Sequence, residues 1–225
     1  MEVQIRHKEQ EIKERKESLE ILMKETRTLW NKCNCSSVDK IGSLVVAIME
    51  SKCKTYDQWE DYFFNKLNGQ EKVIFMYKEF GKILKENNIE CTQQDLIDLI
   101  LIRTLYETWV GYKSELEVRN WLSSQEEVVG VRKSTAKQDY EQCIDFIIFL
   151  KNNVQIGLQV KPISFFVDCT FGDNVKAKVL LQKMKQFEGL DIFVVMVDDG
   201  KVSDFSKSQY NRYKQYWLKG EKKRV

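Results

Sequence analysis

Residues 143–161 read CIDFIIFLKNNVQIGLQVK, and no other stretch narrows the possible folds as much. Two apolar runs, 143–150 and 154–161, are parted by Lys151-Asn152-Asn153. A three-residue loop of this kind closes a hairpin through a turn that ends on a left-handed residue, which asparagine tolerates. Residue 150 then faces 154, and paired numbers sum to 304. Directly opposed residues share a face. One face therefore carries Phe146, Ile148, Leu150, Val154, Ile156, Leu158 and Val160, all apolar. The other carries Asp145, Ile147, Phe149, Gln155, Gly157, Gln159 and Lys161. A slip of one residue would mix the two sets, so the pattern itself selects the register.

In that register Asp145 lies opposite Gln159, with Lys161 diagonally beside Asp145 at about 7–8 Å between backbones. The three form a polar cluster at the hairpin end away from the turn. Pro162, the only proline in the chain, biases Lys161 towards an extended backbone and has no N–H to pair. The strand is expected to fray from its neighbour there and leave room for a ligand. A carboxylate, an amide oxygen and a lysine in such a place suit metal-assisted phosphodiester hydrolysis. Asp145 offers a hard oxygen to Mg²⁺, and the Val160 carbonyl a second. Lys161 would orient a water and offset charge on the phosphate. The plainer reading is a salt bridge between Asp145 and Lys161 at the sheet margin.

The rest of the chain divides near Gly111. Before it, apolar spacing predicts helices only. The first is long and charged, with a thin seam of Ile5, Ile12 and Leu19, joined by Leu22 and Leu29, suited to packing on one partner helix. The second spans 38–53 with Ser37 as its cap. Thr55 and Gln58 form a capping-box pattern for a third, stopped at Asn68-Gly69. A fourth runs from about Gln70 to Glu86, and Thr92 caps a buried fifth. After Gly111 the expected order is a helix (112–124), strands at 126–133, 143–150 and 154–161, a helix (174–188) opened by Asp173 and closed by Gly189, and a strand at 192–197. Asp198-Asp199-Gly200 then turns the chain. The fold class is α/β (α+β), with a helical region over 1–110 and a second domain over 111–225.

Composition bounds the function. The 225 residues are 43% hydrophobic and 31% charged, as suits a globular protein. No run of about 18 apolar residues exists, so no spanning helix is expected. The charged N-terminus does not read as a signal peptide, and six cysteines without a CxxC read as reduced thiols in a cytoplasmic protein. Cys33-Asn-Cys35 lacks partners for zinc, since the single histidine is His7. The net charge of +2 is uneven: residues 1–110 carry −2 and residues 111–225 carry +4. A basic C-terminal half is compatible with a phosphate backbone as partner. In QYNRYKQYWLKGEKKR (209–224), Tyr210, Tyr213, Tyr216 and Trp217 favour docking on a core, while Arg212, Lys214 and Lys219 are candidates for phosphate contact. Lys176, on the 174–188 helix, is a further DNA-binding candidate, though with Lys183 and Lys185 it also reads as solvated.

Asp145, then thirteen residues, then Gln159-Val160-Lys161, set in helix-strand-strand-strand-helix-strand order, resembles the PD-(D/E)XK nuclease core, with Gln159 where the second acid usually stands. Such cores often add a glutamate from the first helix, for which Glu115 is the match and Glu117 the alternative. Asp139 could hold a second ion, or be an ordinary loop residue. More narrowly, TWVGYKSELEV (108–118) followed by IDFIIF and GLQVKPISF (157–165) resembles the MjaI-type restriction endonucleases. This resemblance covers about residues 104–166. It implies a Mg²⁺-dependent type II endonuclease (Mn²⁺ may substitute) that cuts double-stranded DNA at a short palindrome, CTAG being the site associated with the type. It implies Asp145, Gln159, Lys161 and Glu115 as catalytic residues, Asp145, Gln159, Glu115 and the Val160 carbonyl as metal ligands, and a two-fold homodimer. Two alternatives stay open: a structure-selective nuclease of the resolvase or transposon-end kind, and a DNA-binding protein whose site has decayed.

Overall fold

A computed structural model describes residues 4–135, 138, 143–163 and 190–220. The chain forms two compact units, Met1–Tyr112 and Lys113–Val225.

The first unit is helical. The expected long first helix is two, α1 (Glu9–Ser18) and α2 (Glu20–Cys33), parted at Leu19, whose ψ of 10° leaves the helical range. The break turns the apolar seam inward. Ile12 and Leu19 are buried, and Ile5, Leu22 and Leu29 pack on the same core. The seam thus meets its own unit rather than a separate partner helix. The expected second helix is likewise two, α3 (Val38–Ile41) and α4 (Leu44–Ser51). Gly42 separates them at φ 82°, which a glycine adopts without strain, and Ser43 re-caps the chain by accepting from Val46 N–H. Thr55 caps α5 (Tyr56–Lys66), but Gln58 accepts from Lys54 N–H, so only half of the expected capping box forms. Asn68, left-handed at φ 54°, turns the chain into α6 (Gly69–Glu86). Thr92 and Asp95 make a full capping box at the start of α7 (Gln93–Leu101).

A single π-helical turn, Ile102–Tyr106, then carries α7 directly into α8 (Glu107–Ser123), and the division between the units falls inside α8. The fifth and sixth expected helices are therefore one continuous helical run, which Gly111 does not interrupt. Arg103, inside the wide turn, donates to the Met23 carbonyl at 2.5 Å and to Thr26 Oγ1 at 3.1 Å. It also lies over the Trp30 ring.

The second unit holds a five-stranded mixed sheet in the order β1 (Val128–Lys133), β2 (Phe146–Leu150), β3 (Gln155–Pro162), β4 (Asp191–Asp198), β5 (Lys201–Val202). Only β3 and β4 are parallel. The hairpin has the expected register: Phe146 pairs with Leu158 and Ile148 with Ile156. Asn153 closes the turn at φ 64°. The whole apolar face packs into one core with Val118 and Leu122 of α8. The short β5, after the turn at Asp199-Gly200, is an addition to the expected order. α9 (Asp204–Leu218) docks on the same core through Tyr210 and Trp217, both buried. Phe193, Trp121 and Tyr213 surround them edge-on or stacked. The expected helix at 174–188 lies outside the described residues.

The first unit also buries charge. Asp98, fully buried, accepts from His7 Nε2 at 2.8 Å, Gln94 Nε2 at 2.6 Å and Arg15 Nε at 2.5 Å. Burial works to raise its carboxyl, but these hydrogen bonds outweigh it and hold Asp98 below the ordinary value. Glu60 has less help. It accepts His7 N–H at 2.7 Å, and burial pushes it up to about 7. A carboxyl raised from 4.5 to about 7 favours the protonated fold. Its stabilising contribution is complete below about pH 4.5 and is lost as pH rises to about 7. Glu60→Gln keeps an oxygen for His7 N–H and removes the buried charge. In denaturant titrations the variant is expected to be more stable than the parent at pH 8 by about 1–3 kcal/mol. The gap should close towards pH 4.5; an equal difference at both pH values would contradict the assignment.

Candidate active site

The polar cluster forms because β3 outlasts β2. Leu150 N–H donates to the Val154 carbonyl at 2.9 Å. Bonded pairs alternate along an antiparallel ladder. In register they recur at 148/156 and 146/158, and the next would join 144 to 160. β2 begins only at Phe146, and Cys143, left-handed at φ 53°, takes the preceding chain elsewhere. Among the described residues, no strand residue therefore pairs with Val160 N–H on that side. The Asp145 carboxylate fills that place, accepting Val160 N–H at 2.6 Å and Gln159 Nε2 at 2.5 Å on the same oxygen. Asp145 is fixed through its backbone as well: its N–H donates to the Leu158 carbonyl at 2.7 Å, and its carbonyl accepts Ser134 N–H at 3.0 Å. The expected fraying is consequently one-sided. β3 leaves β2 but stays paired to β4 as far as Pro162, which faces Val197.

Asp145 and Gln159 are both buried, at 8% and 3% exposure. Burial raises the Asp145 carboxyl above its ordinary value. The Val160 hydrogen bond and the charges of Lys161 and Lys133 offset this in part, and the Glu115 charge adds to the rise. Glu115 of α8 is thus part of Asp145's electrostatic surroundings. Glu115 itself is ion-paired with Lys133 at the end of β1. Lys133 pairs in the ladder with Phe146, and its ammonium lies 4.8 Å from the centre of that ring. Lys133 was not among the residues singled out from sequence. Only its polarity at the end of a predicted strand distinguished it there, and no local pattern ties residue 133 to residue 115.

Gly157 is a second contributor that the sequence reading left without a role. A Cβ there would meet Ile144 Cδ1 at 3.1 Å and Cγ1 at 3.3 Å. Its absence lets Ile144 cross the strand and holds the backbone one residue before Asp145. Ile144, Ile147 and Ile192 form a small core on that face.

Asp145, Gln159 and Val160 are therefore joined by hydrogen bonds, while Lys161 and Glu115 act on Asp145 through charge. Asp139 and Lys176, with Lys183 and Lys185, lie outside the described residues. On α9, Arg212 is exposed, as is Lys219 just beyond it. Lys214 is engaged with Glu127 at 3.3 Å and lies over Tyr210, so it serves the docking of α9. Trp109 is buried in the first unit's core.

The donor set is one of hard oxygens: the carboxylates of Asp145 and Glu115 and the Val160 carbonyl, which points to the same side of β3 as its N–H, where no strand pairs with it among the described residues. Such donors fit Mg²⁺. Gln159 presents nitrogen, not oxygen, to Asp145, because a carboxylate only accepts. Its amide must turn over to ligate a cation.

Comparison with known families gives the class. The family model for the MjaI restriction endonuclease matches residues 27–192. The chain belongs to the MjaI restriction endonuclease family. Membership implies hydrolysis of DNA. No curated protein and no solved structure gives a match. Among the described residues no helix is long and apolar enough to cross a membrane.

Gly157→Val places a branched side chain against Ile144 and is expected to destabilise the protein by about 1–3 kcal/mol. Guanidinium unfolding checks this, and a midpoint equal to the parent's would show that the close approach at Gly157 is not needed.

Proposed function

We propose that this protein is a type II restriction endonuclease that cuts double-stranded DNA at a short palindrome with Mg²⁺, Mn²⁺ serving as substitute. CTAG is the site that the family resemblance implies. The observation that carries the reading is the buried Asp145 carboxylate at the open edge of β3, with Gln159, Val160, Lys161 and Glu115 gathered around it, in a chain of a restriction endonuclease family. The core is read as PD-(D/E)XK-like, with Gln159 in the place of the second acid.

Asp145, the Val160 carbonyl and Glu115 would hold the cation, with the Gln159 oxygen joining them if its amide turns. When bound, Mg²⁺ supplies Lewis acidity to the phosphate and lowers the pKa of a water. The chain's own residues do the rest. Val160 N–H and Gln159 keep Asp145 aimed at the open edge. Lys161 orients the attacking water and offsets the charge that gathers on the pentacovalent phosphate. One P–O bond forms to the water oxygen as another breaks, and the DNA strand is cut. Arg212 and Lys219 would meet backbone phosphates, which set affinity more than sequence choice.

A palindrome matched by two active sites calls for a two-fold homodimer. Ile12 and Leu19 are buried within their own unit and Ile5 packs on the same core, so the contact between copies would use other surfaces.

The test is plasmid DNA incubated with Mg²⁺, followed by mapping of the ends. The parent is expected to cut at one palindrome. Asp145→Asn and Lys161→Ala are expected to lower cleavage by about 100-fold or more while duplex binding persists. Gln159→Glu should retain cleavage, and Gln159→Leu, which leaves neither donor nor oxygen, should lose it. Near-parental cutting by a folded Asp145→Asn protein would remove this site from the reaction. Duplex binding with no cutting by the parent, in either Mg²⁺ or Mn²⁺, would favour a decayed site.

A further inference from the structure

Lys133 is a cation near the cluster whose ion-pair partner, Glu115, is a proposed metal ligand. Its ammonium is ion-paired with Glu115 and acts electrostatically on Asp145. Its position is fixed by more than the ion pair. Lys133 stands opposite Phe146 in the β1–β2 ladder and its ammonium lies over that ring. The next residue, Ser134, donates its N–H to the Asp145 carbonyl at 3.0 Å. The end of β1 is thereby tied to the residue that anchors the site. The pair is accessible, with Lys133 at 47% and Glu115 at 30% side-chain exposure. An exposed pair of this kind is weak and exchangeable.

Charge explains what the exchange would do. Gln159 brings no charge, so Asp145 and Glu115 are the two acids of the proposed site. Lys161 and Lys133 both act on Asp145 as positive charges. A divalent cation that binds Glu115 competes with the Lys133 ammonium for the carboxylate's charge.

We propose that Lys133 is a built-in counter-cation: it occupies Glu115 in the DNA-free protein, keeps divalent-metal affinity low, and releases Glu115 when a DNA phosphate takes up its charge. This rests on the reading of Asp145 and Glu115 as metal ligands. Lys133 is a positioning residue, acting through Glu115, and it couples metal loading to the arrival of DNA. A restriction enzyme built this way holds its metal only where a phosphate is present to be cut.

The test is calorimetric titration of Mn²⁺ into the DNA-free protein and into a complex with uncleavable duplex. Lys133→Gln is expected to tighten Mn²⁺ binding to the DNA-free protein by about tenfold, since it removes one competing charge. Lys133→Arg, which keeps the charge, should bind as weakly as the parent. Adding Glu115→Gln to Lys133→Gln should abolish the gain. In the DNA complex the parent and Lys133→Gln should differ by less than about twofold. Unchanged Mn²⁺ affinity in DNA-free Lys133→Gln, a gain in Lys133→Arg, or a tenfold gap that persists on DNA would overturn the proposal. Asp145→Asn separates the two levels. If it removes Mn²⁺ binding while Lys133→Gln changes nothing, only the role of Lys133 fails. If Mn²⁺ binds Asp145→Asn as it binds the parent, the metal site itself lies elsewhere.

Discussion

The second unit turns on one interaction, the grip of Val160 N–H and Gln159 on the buried Asp145 carboxylate. A buried carboxylate costs free energy unless donors and charges compensate. Here two donors meet one of its oxygens, and Lys161 and Lys133 supply positive charge, yet the carboxyl is still held above its ordinary value. Desolvation outweighs these contributions, and a bound cation would offset it. Local features of the sheet maintain this state. Cys143 diverts the chain so that β2 starts late, Gly157 admits Ile144, and β4 supports β3 beyond the point where β2 ends.

The two units solve the problem of buried polarity differently. In the first, Asp98 is matched by His7, Gln94 and Arg15, and its carboxyl is pulled below the ordinary value. That network closes on itself and ties the N-terminal segment to α7. The Asp145 cluster is the opposite case, with the carboxyl raised and an acid–base pair beside it that can exchange partners. Satisfied polar groups specify structure, whereas perturbed ones gather at functional sites. On the other side of the sheet the aromatic residues of α9 leave little doubtful about its role: Tyr210 and Trp217 are core, and Lys214 helps seat them.

Much of the site was legible in residues 143–161, because a strand has a period of two and a slip would have put polar residues into the core. The register, the shared place of Asp145 and Gln159, and the left-handed Asn153 all followed from that pattern. What the pattern lacked was anything nonlocal. The pairing of Lys133 with Glu115 joins a strand end to a helix eighteen positions earlier. The His7–Asp98 bond spans ninety-one. Helix boundaries failed for a different reason. Leu19 carries no breaking residue type, and Gly42 and Gly111 look alike in sequence, though the chain turns at the first and runs helical through the second. The polarity of the Gln159 amide was also invisible, since an amide offers either atom until its partner is known.

The central claim is that the Asp145 carboxylate is where a divalent cation and the scissile phosphate meet. A crystal structure of the protein with an uncleavable cognate duplex and Mn²⁺ tests it most directly, through the anomalous scattering of the metal. The account predicts an anomalous peak in coordinating contact with Asp145 and with an oxygen of the scissile phosphate, and Lys161 beside the same phosphate. A peak on other residues, with Asp145 still hydrogen-bonded to Gln159 and Val160 and remote from the DNA, would contradict it.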